Sequence, residues 1–274
     1  MTTFSPGKVL RSFTLLFTIL YAFFAIAAPV PGENPAAAPL TVAAAADLSF
    51  ALPRITGIFE QQTGRTVRVI YGSSGTLYAQ IQNGAPFDVF LSADVNYARQ
   101  LVNLHQAVSD SFYRYAVGRI VLWAPKDSPL DLQQFGIRIL TQDDVKKIAI
   151  ANPEHAPYGR AAVAALKHFN LYDQVASKLV LGENVSQSAE FVRSGNAQVG
   201  VIALSLALAP AMRDGKVWQI PTTAYPPLEQ AGVVLTFSRN QAFARRFIEF
   251  LKSPKATEIF RQFGYAPPQE KKRK

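Results

Sequence analysis

The chain of 274 residues contains no cysteine. That excludes a disulfide scaffold, a cysteine-ligated metal, a cysteine nucleophile and a lipid-modified N-terminal cysteine. Charge is sparse as well. Only 17% of residues are charged, against 49% hydrophobic, which is a globular composition. Histidine occurs three times, as His105, His155 and His168. These are too far apart for a metal motif, and none has an acid at ligand spacing, so no cofactor and no resident metal are expected. Acids are outnumbered, 19 against 28 Lys+Arg, for a formal charge of +9. The basic residues are nevertheless scattered, and the one dense cluster, Lys271-Lys272-Arg273-Lys274, reads as a solvated tail. A diffuse positive field that attracts small anions is the reading, with no nucleic-acid partner.

Long apolar runs are also few, and the N-terminus holds the clearest. Lys8 and Arg11 precede an apolar stretch over 13–28, Ala25-Ile26-Ala27 offers small residues for cleavage, and Pro29 and Pro31 follow. The stretch is short for a membrane span, so residues 1–28 read as a cleaved export signal rather than an anchor. Residues 29–39, PVPGENPAAAP, read as a linker. Removing Lys8 and Arg11 with the signal leaves 26 basic residues against 19 acidic, or +7. The mature protein is expected to be free in the periplasm, meeting a membrane only through a partner.

From Leu40 onward strands and helices alternate. LTVAAAA, TVRVIY (66–71) and DVFLSA (88–93) read as strands, with helices over 48–62, 76–82 and 96–104. The pattern restarts with strands at 119–123, 146–151, 178–181 and 198–203, helices at 160–169 and 186–194, a strand at 232–237, and two helices within 241–263. Such alternation indicates mostly parallel sheets flanked by helices. Two similar halves joined by crossing strands place a ligand cleft between them. The expected division is lobe 1 over 40–118 plus 238–274 and lobe 2 over 119–237, with crossings near 119–123 and 232–237.

Four short loops end a strand and open a helix: Ala45-Ala46-Asp47-Leu48, Gly72-Ser73-Ser74-Gly75-Thr76, Asn152 to Gly159, and Asn184-Val185-Ser186-Gln187. A helix start carries unpaired N–H groups and roughly half a positive charge, so it favours anions. About six charge-assisted bonds at roughly 1.5–3 kcal/mol each would give on the order of 9–18 kcal/mol before association costs. Micromolar affinity needs only about 8 kcal/mol net. Taken singly, each loop is an ordinary capped turn.

The segments AAAADL (43–48), YGSSGTLYAQIQNGAPFDVFLSAD (71–94), IAIANPEHAPYG (148–159), ENVSQ (183–187), QVGVIALS (198–205) and LKSPKATEIFRQFGY (251–265) together resemble the periplasmic molybdate-binding proteins of ABC importers. The resemblance runs from about residue 40 to the C-terminus. It implies an α/β, two-lobed type II periplasmic-binding fold that closes on molybdate or tungstate, acts as a monomer, and delivers its ligand to a permease and ATPase. The ligand-binding positions it implies are Ala46, Asp47, Ser73, Ser74, Tyr158 and Val185, the last two through backbone N–H groups. Some relatives carry tyrosine where this chain has Ala203, which leaves the far wall open. Others carry Ser or Asn at the position of Asp47. An ionised carboxylate facing a dianion would cost affinity, so Asp47 is expected to turn inward as a cap and offer only its N–H.

Competing readings follow from the same residues. Sulfate or phosphate would suit similar donors. Ferric iron would need Tyr158 and His155 as ligands. A phosphate-ester hydrolase would need a base beside Ser74. Arg160, a cation at a helix start, reads either as the partner of a bound anion or as a side chain reaching an acid elsewhere. Asp94 fits an N-cap, and Phe112, Tyr113 and Tyr115 read as core and hinge packing.

Overall fold

The computed structural model of the protein describes residues 38–268 together with the first two residues. The expected export signal beyond residue 2, the expected linker up to Ala37 and the basic C-terminal cluster lie outside the described residues. The strands are β1 (Leu40–Ala45), β2 (Val67–Gly72), β3 (Val89–Ser92), β4 (Tyr113–Gly118), β5 (Ile120–Ala124), β6 (Ile148–Ala151), β7 (Leu179–Gly182), β8 (Val199–Ala203), β9 (Lys216–Gln219) and β10 (Leu228–Val234). The helices are α1 (Ala51–Thr63), α2 (Ser74–Gln82), α3 (Val95–Asn103), α4 (Leu132–Phe135), α5 (Pro157–His168), α6 (Tyr172–Val175), α7 (Val185–Arg193), α8 (Leu204–Ala207), α9 (Gln241–Leu251) and α10 (Pro254–Gln262).

Two five-stranded sheets form, in the orders β2-β1-β3-β10-β4 and β7-β6-β8-β5-β9. In the first, β1 runs parallel to β2 and β3, and β10 lies antiparallel between β3 and β4. In the second, β6 runs parallel to β7 and β8, and β5 lies antiparallel between β8 and β9. The sheets are thus mixed, with as many antiparallel pairings as parallel ones. Strands that arrive from the other sheet enter without a crossover helix, and so pair antiparallel.

The chain crosses from the first sheet to the second at Arg119, between β4 and β5. It returns through 220–227, a segment with Pro221, Pro226 and Pro227, before β10. This corrects the expected second crossing at 232–237: residues 228–234 belong wholly to the first sheet. The polar Glu229 and Gln230 hide the start of that strand in the sequence. Gln230 is nevertheless fully buried, because its amide is hydrogen-bonded inside the protein.

β1 is apolar apart from Thr41 because helices cover both faces of its sheet. On one face α1, α9 and α10 pack around Phe59, whose ring lies 5.1 Å from those of Phe243 and Phe247. On the other, Leu77 and Ile81 of α2 and Leu101 of α3 bury Phe90. α1 stops at Gly64, whose φ of +67° closes the helix in the left-handed region. The apolar core of the second sheet continues into the first through Ala45, Ala46 and Ala93. Tyr115 is buried and stacks on Phe260 at 5.3 Å, so this aromatic stretch is packing beside the crossing.

Candidate functional site

β1, β2, β6 and β7 all end at the junction of the two sheets, and each hands over to a helical turn there. The six positions singled out from the sequence, Ala46, Asp47, Ser73, Ser74, Tyr158 and Val185, line one small pocket. Ala45, Gly72, Ala93, Ala156, Pro157 and Asn184 complete its wall, so no lysine or arginine lines it. Ala203 ends β8 fully buried and lies away from that wall.

Capping decides which donors remain. At α2, Ser73 Oγ accepts from Thr76 N–H, and Gly75 N–H donates to the carbonyl of His155. At α7, the Asn184 side chain accepts from the N–H groups of Ser186 and Gln187. At α5, the N–H groups of Gly159 and Arg160 both reach the Ala156 carbonyl, and Pro157 has no N–H. What is left at these three starts is the N–H of Ser74, of Tyr158 and of Val185. Each stands in a first turn, where no intrahelical acceptor exists. Ala46 and Asp47 open a 3-10 turn and add N–H groups of the same kind. Ser74 contributes more. Its Oγ accepts from Ala93 N–H at 2.9 Å, which leaves the hydroxyl proton to donate. Ser73 lines the pocket too, but its hydroxyl serves the cap and contacts His155 Nδ1 at 2.8 Å.

Beneath these donors lies a buried polar floor. Asp47 has no solvent access, and its Oδ2 accepts from Tyr158 Oη at 2.9 Å, Gln230 Nε2 at 2.7 Å and Tyr265 Oη at 2.8 Å. Its backbone carbonyl accepts from Ser205 Oγ and from Tyr265 Oη. The inward turn is as expected, but the carboxylate is no helix cap: its turn has no side-chain cap, and three side chains from distant elements hold it instead. Burial pushes the Asp47 carboxyl up to about 6, against the downward pull of those three hydrogen bonds and of its own backbone N–H. Burial and the neighbouring carboxylate push the phenols of Tyr115, Tyr158 and Tyr265 well above their usual range, so all three stay neutral. Gln230, Tyr265 and Ser205 carry no local signal that marks them from the sequence.

Around the rim, the lobes meet through partly exposed side chains. Arg160 Nη2 of α5 pairs with Asp94 Oδ2 at 2.7 Å, which resolves the two readings of Arg160 in favour of an acid elsewhere. The other Asp94 oxygen caps α3 through Asn96 N–H. His155 Nε2 lies 3.5 Å from Glu183 Oε1. The remaining histidines are structural: His105 closes α3 at φ +57°, and His168 packs edge-on to Phe169. The ferric reading fails on Tyr158. Its hydroxyl is already held by Asp47, and its environment opposes the phenolate that iron requires. Among the described residues no group of three or more His, Asp or Glu is placed to hold a metal ion.

Residues 40–266 match the family model of bacterial extracellular solute-binding proteins. The molybdate-binding protein ModA of Azotobacter vinelandii is 39% identical over 234 residues, which cover 84% of this chain and 90% of that protein. The molybdate-binding protein ModA of Rhodobacter capsulatus is also 39% identical, over 232 residues and the same shares. The solved structure of the Azotobacter vinelandii periplasmic molybdate-binding protein superposes with a TM-score of 0.79 at 36% identity, covering 84% of this chain and all of that one.

Proposed function

Because the chain belongs to the family of bacterial extracellular solute-binding proteins, we propose that it captures molybdate or tungstate in the periplasm and hands it unchanged to an ABC permease and its ATPase. The pocket carries the reading. It is a tight space between loops of both lobes, well short of the ~300–1,000 Å³ of sites for organic ligands, and suits a small inorganic anion. Its donors are the N–H groups that capping leaves over, on both lobes, with the Ser74 hydroxyl among them. A tetrahedral dianion offers four acceptors and no donor, so it matches these N–H groups and the Ser74 hydroxyl. Relatives named for molybdate binding support this choice of ligand. Binding rather than catalysis is the reading of the same wall, since the Ser74 hydroxyl is bonded to Ala93 N–H and not to a base.

Selection rests on two physical differences. Sulfate is a smaller tetrahedron, and leaves longer bonds in a cavity closed on molybdate. Phosphate keeps a proton near neutral pH, and that proton meets donors at the backbone N–H groups and the Ser74 hydroxyl. Isothermal titration calorimetry of ligand-free protein with molybdate, tungstate, sulfate and phosphate tests the reading. Submicromolar binding of the first two, with at least hundredfold weaker sulfate and phosphate, is expected. Tighter binding of sulfate or phosphate would replace the ligand, and four flat titrations would reject an oxyanion site.

One observation favours a hydrolase instead: Ser73, His155 and Glu183 form a chain at 2.8 and 3.5 Å. Against it, Ser73 Oγ is engaged as a helix cap. Glu183 is also 62% exposed, whereas the orienting acid of a triad is buried. No release of nitrophenol from nitrophenyl acetate or phosphate is expected, and turnover that Ser73→Ala abolishes would restore the enzyme reading.

A further inference from the structure

Asp47 presents a problem that its hydrogen bonds do not solve. Three donors converge on Oδ2, while Oδ1 is buried with no partner. Gln230 Oε1, in the same network, is a second buried acceptor without a donor. Buried polar atoms are normally satisfied, and a network with two orphan acceptors is short of a proton. The carboxyl also belongs to a residue that lines the anion pocket.

No cation relieves it. The groups that face it are Tyr158 from α5, Tyr265 beyond α10, Tyr115 from β4, Gln230 from β10 and Ser205 from α8, and all are neutral. The charged residues on the surrounding elements are engaged elsewhere. Arg160 pairs with Asp94, Arg114 with Glu229 and Arg193 with Glu190, while His155 lies beside Glu183. Arg261 and Glu258 pair with each other on α10, Arg68 on β2 is exposed, and the Tyr71 phenol on that strand is pushed up to about 12. Arg119, at the crossing, acts on Tyr225, whose hydroxyl accepts from Ile120 N–H rather than reaching Asp47.

Resting on the reading of this pocket as an oxyanion site, we propose that Asp47 couples capture to the uptake of one proton: the filled pocket holds its carboxyl as the neutral acid, and capture tightens as the medium acidifies. A dianion and an ionised carboxylate in one pocket without a cation repel each other, and a proton on Asp47 removes the repulsion. The sign follows from linkage. Burial already holds the carboxyl near 6 in the empty protein, and a bound dianion moves it further up. Between those two values the filled protein binds a proton that the empty one lacks, so affinity rises up to about tenfold per unit fall in pH. Below about 6 both forms hold the proton, and affinity levels off.

The test is calorimetry with sodium molybdate from about pH 5.5 to about 8.5, each pH in two buffers of different ionisation heat. Wild type, Asp47→Asn and His155→Gln are compared. Wild type and His155→Gln are expected to take up close to one proton per molybdate above the empty-site value, with Kd weakening as pH rises. Asp47→Asn, which keeps an acceptor for the three donors, is expected to lose both the uptake and the slope. Buffer-independent heats with a flat Kd in wild type overturn the proposal. So does uptake that persists in Asp47→Asn or vanishes in His155→Gln. The wild-type measurement stands even if a variant fails to fold. An absence of molybdate binding at every pH is a different result, and overturns the oxyanion reading on which the proposal rests.

Discussion

At the floor of the pocket, Tyr158 of one lobe donates to Asp47 of the other at 2.9 Å, with both residues almost without solvent access. At the rim, Arg160 meets Asp94 across the same junction at 2.7 Å, with side chains 39% and 23% exposed. The distances are alike, yet the two contacts differ greatly in what they are worth. Water competes for the rim pair and salt screens it, so contacts of that kind contribute about 0–1 kcal/mol. The floor pair has no such competitor, and removing one partner strands a buried polar group. Length alone therefore says little about how the lobes are held. Access to water says more.

Substitutions separate the two sets, and the largest effect belongs to the floor. With its folded value near 6 against an ordinary 3.8, ionised Asp47 opposes folding by on the order of 3 kcal/mol. That penalty is complete above pH 6 and vanishes as pH falls through 3.8. Asp47→Asn is expected to raise the stability of ligand-free protein in urea by up to this amount at pH 8, with the gain gone near pH 4. Tyr158→Phe keeps the ring and removes one hydrogen bond to the carboxylate. It is expected to cost about 1.5–3 kcal/mol at pH 8, and less under acid conditions, where the acceptor is neutral.

Ser74→Ala removes a donor and leaves the Ala93 N–H without its acceptor. We expect molybdate affinity to fall by about tenfold to a hundredfold in calorimetry, roughly 1.4–2.8 kcal/mol. Ser73→Ala, one residue away, is expected to act mainly on stability, by about 1 kcal/mol through the lost cap. Arg160→Ala breaks the rim pair and is expected to change affinity by less than about fivefold, a difference that disappears at high salt. A rim effect as large as that of Ser74→Ala would dissolve the distinction.

The local grammar of strand end, small or hydroxylated residue and helix start is written in consecutive residues. For that reason the four loops are legible in the sequence itself, whereas the positions Ala46, Asp47, Ser73, Ser74, Tyr158 and Val185 within them come from the resemblance to the molybdate-binding family. The partners of Asp47 are not. Gln230 and Tyr265 lie 183 and 218 residues further along, and only the pairing of β10 between β3 and β4 and the packing of α10 against α1 bring them beneath the pocket. Their absence from the sequence pattern also explains why Asp47 reads as a cap. An acid before a helix looks the same whether it turns to its own N–H groups or to distant phenols. β4 and β9 escape the pattern for a related reason. One is aromatic and lies against the crossing, the other is a short, half-exposed edge strand, and neither shows a clean alternation. The neighbouring serines teach the same point, since nothing local says that Ser73 caps while Ser74 keeps a proton to donate.

The central claim is that neutral donors left over from helix capping hold the anion. A crystal structure of the protein with molybdate, with the metal located by its anomalous scattering, tests it most directly. Molybdenum is expected between the two sheets. Its oxygens should lie within hydrogen-bond distance of the N–H groups of Ala46, Asp47, Ser74, Tyr158 and Val185 and of Ser74 Oγ, with Arg160 still on Asp94. Molybdenum at the rim, or Arg160 swung from Asp94 onto the anion, would contradict it.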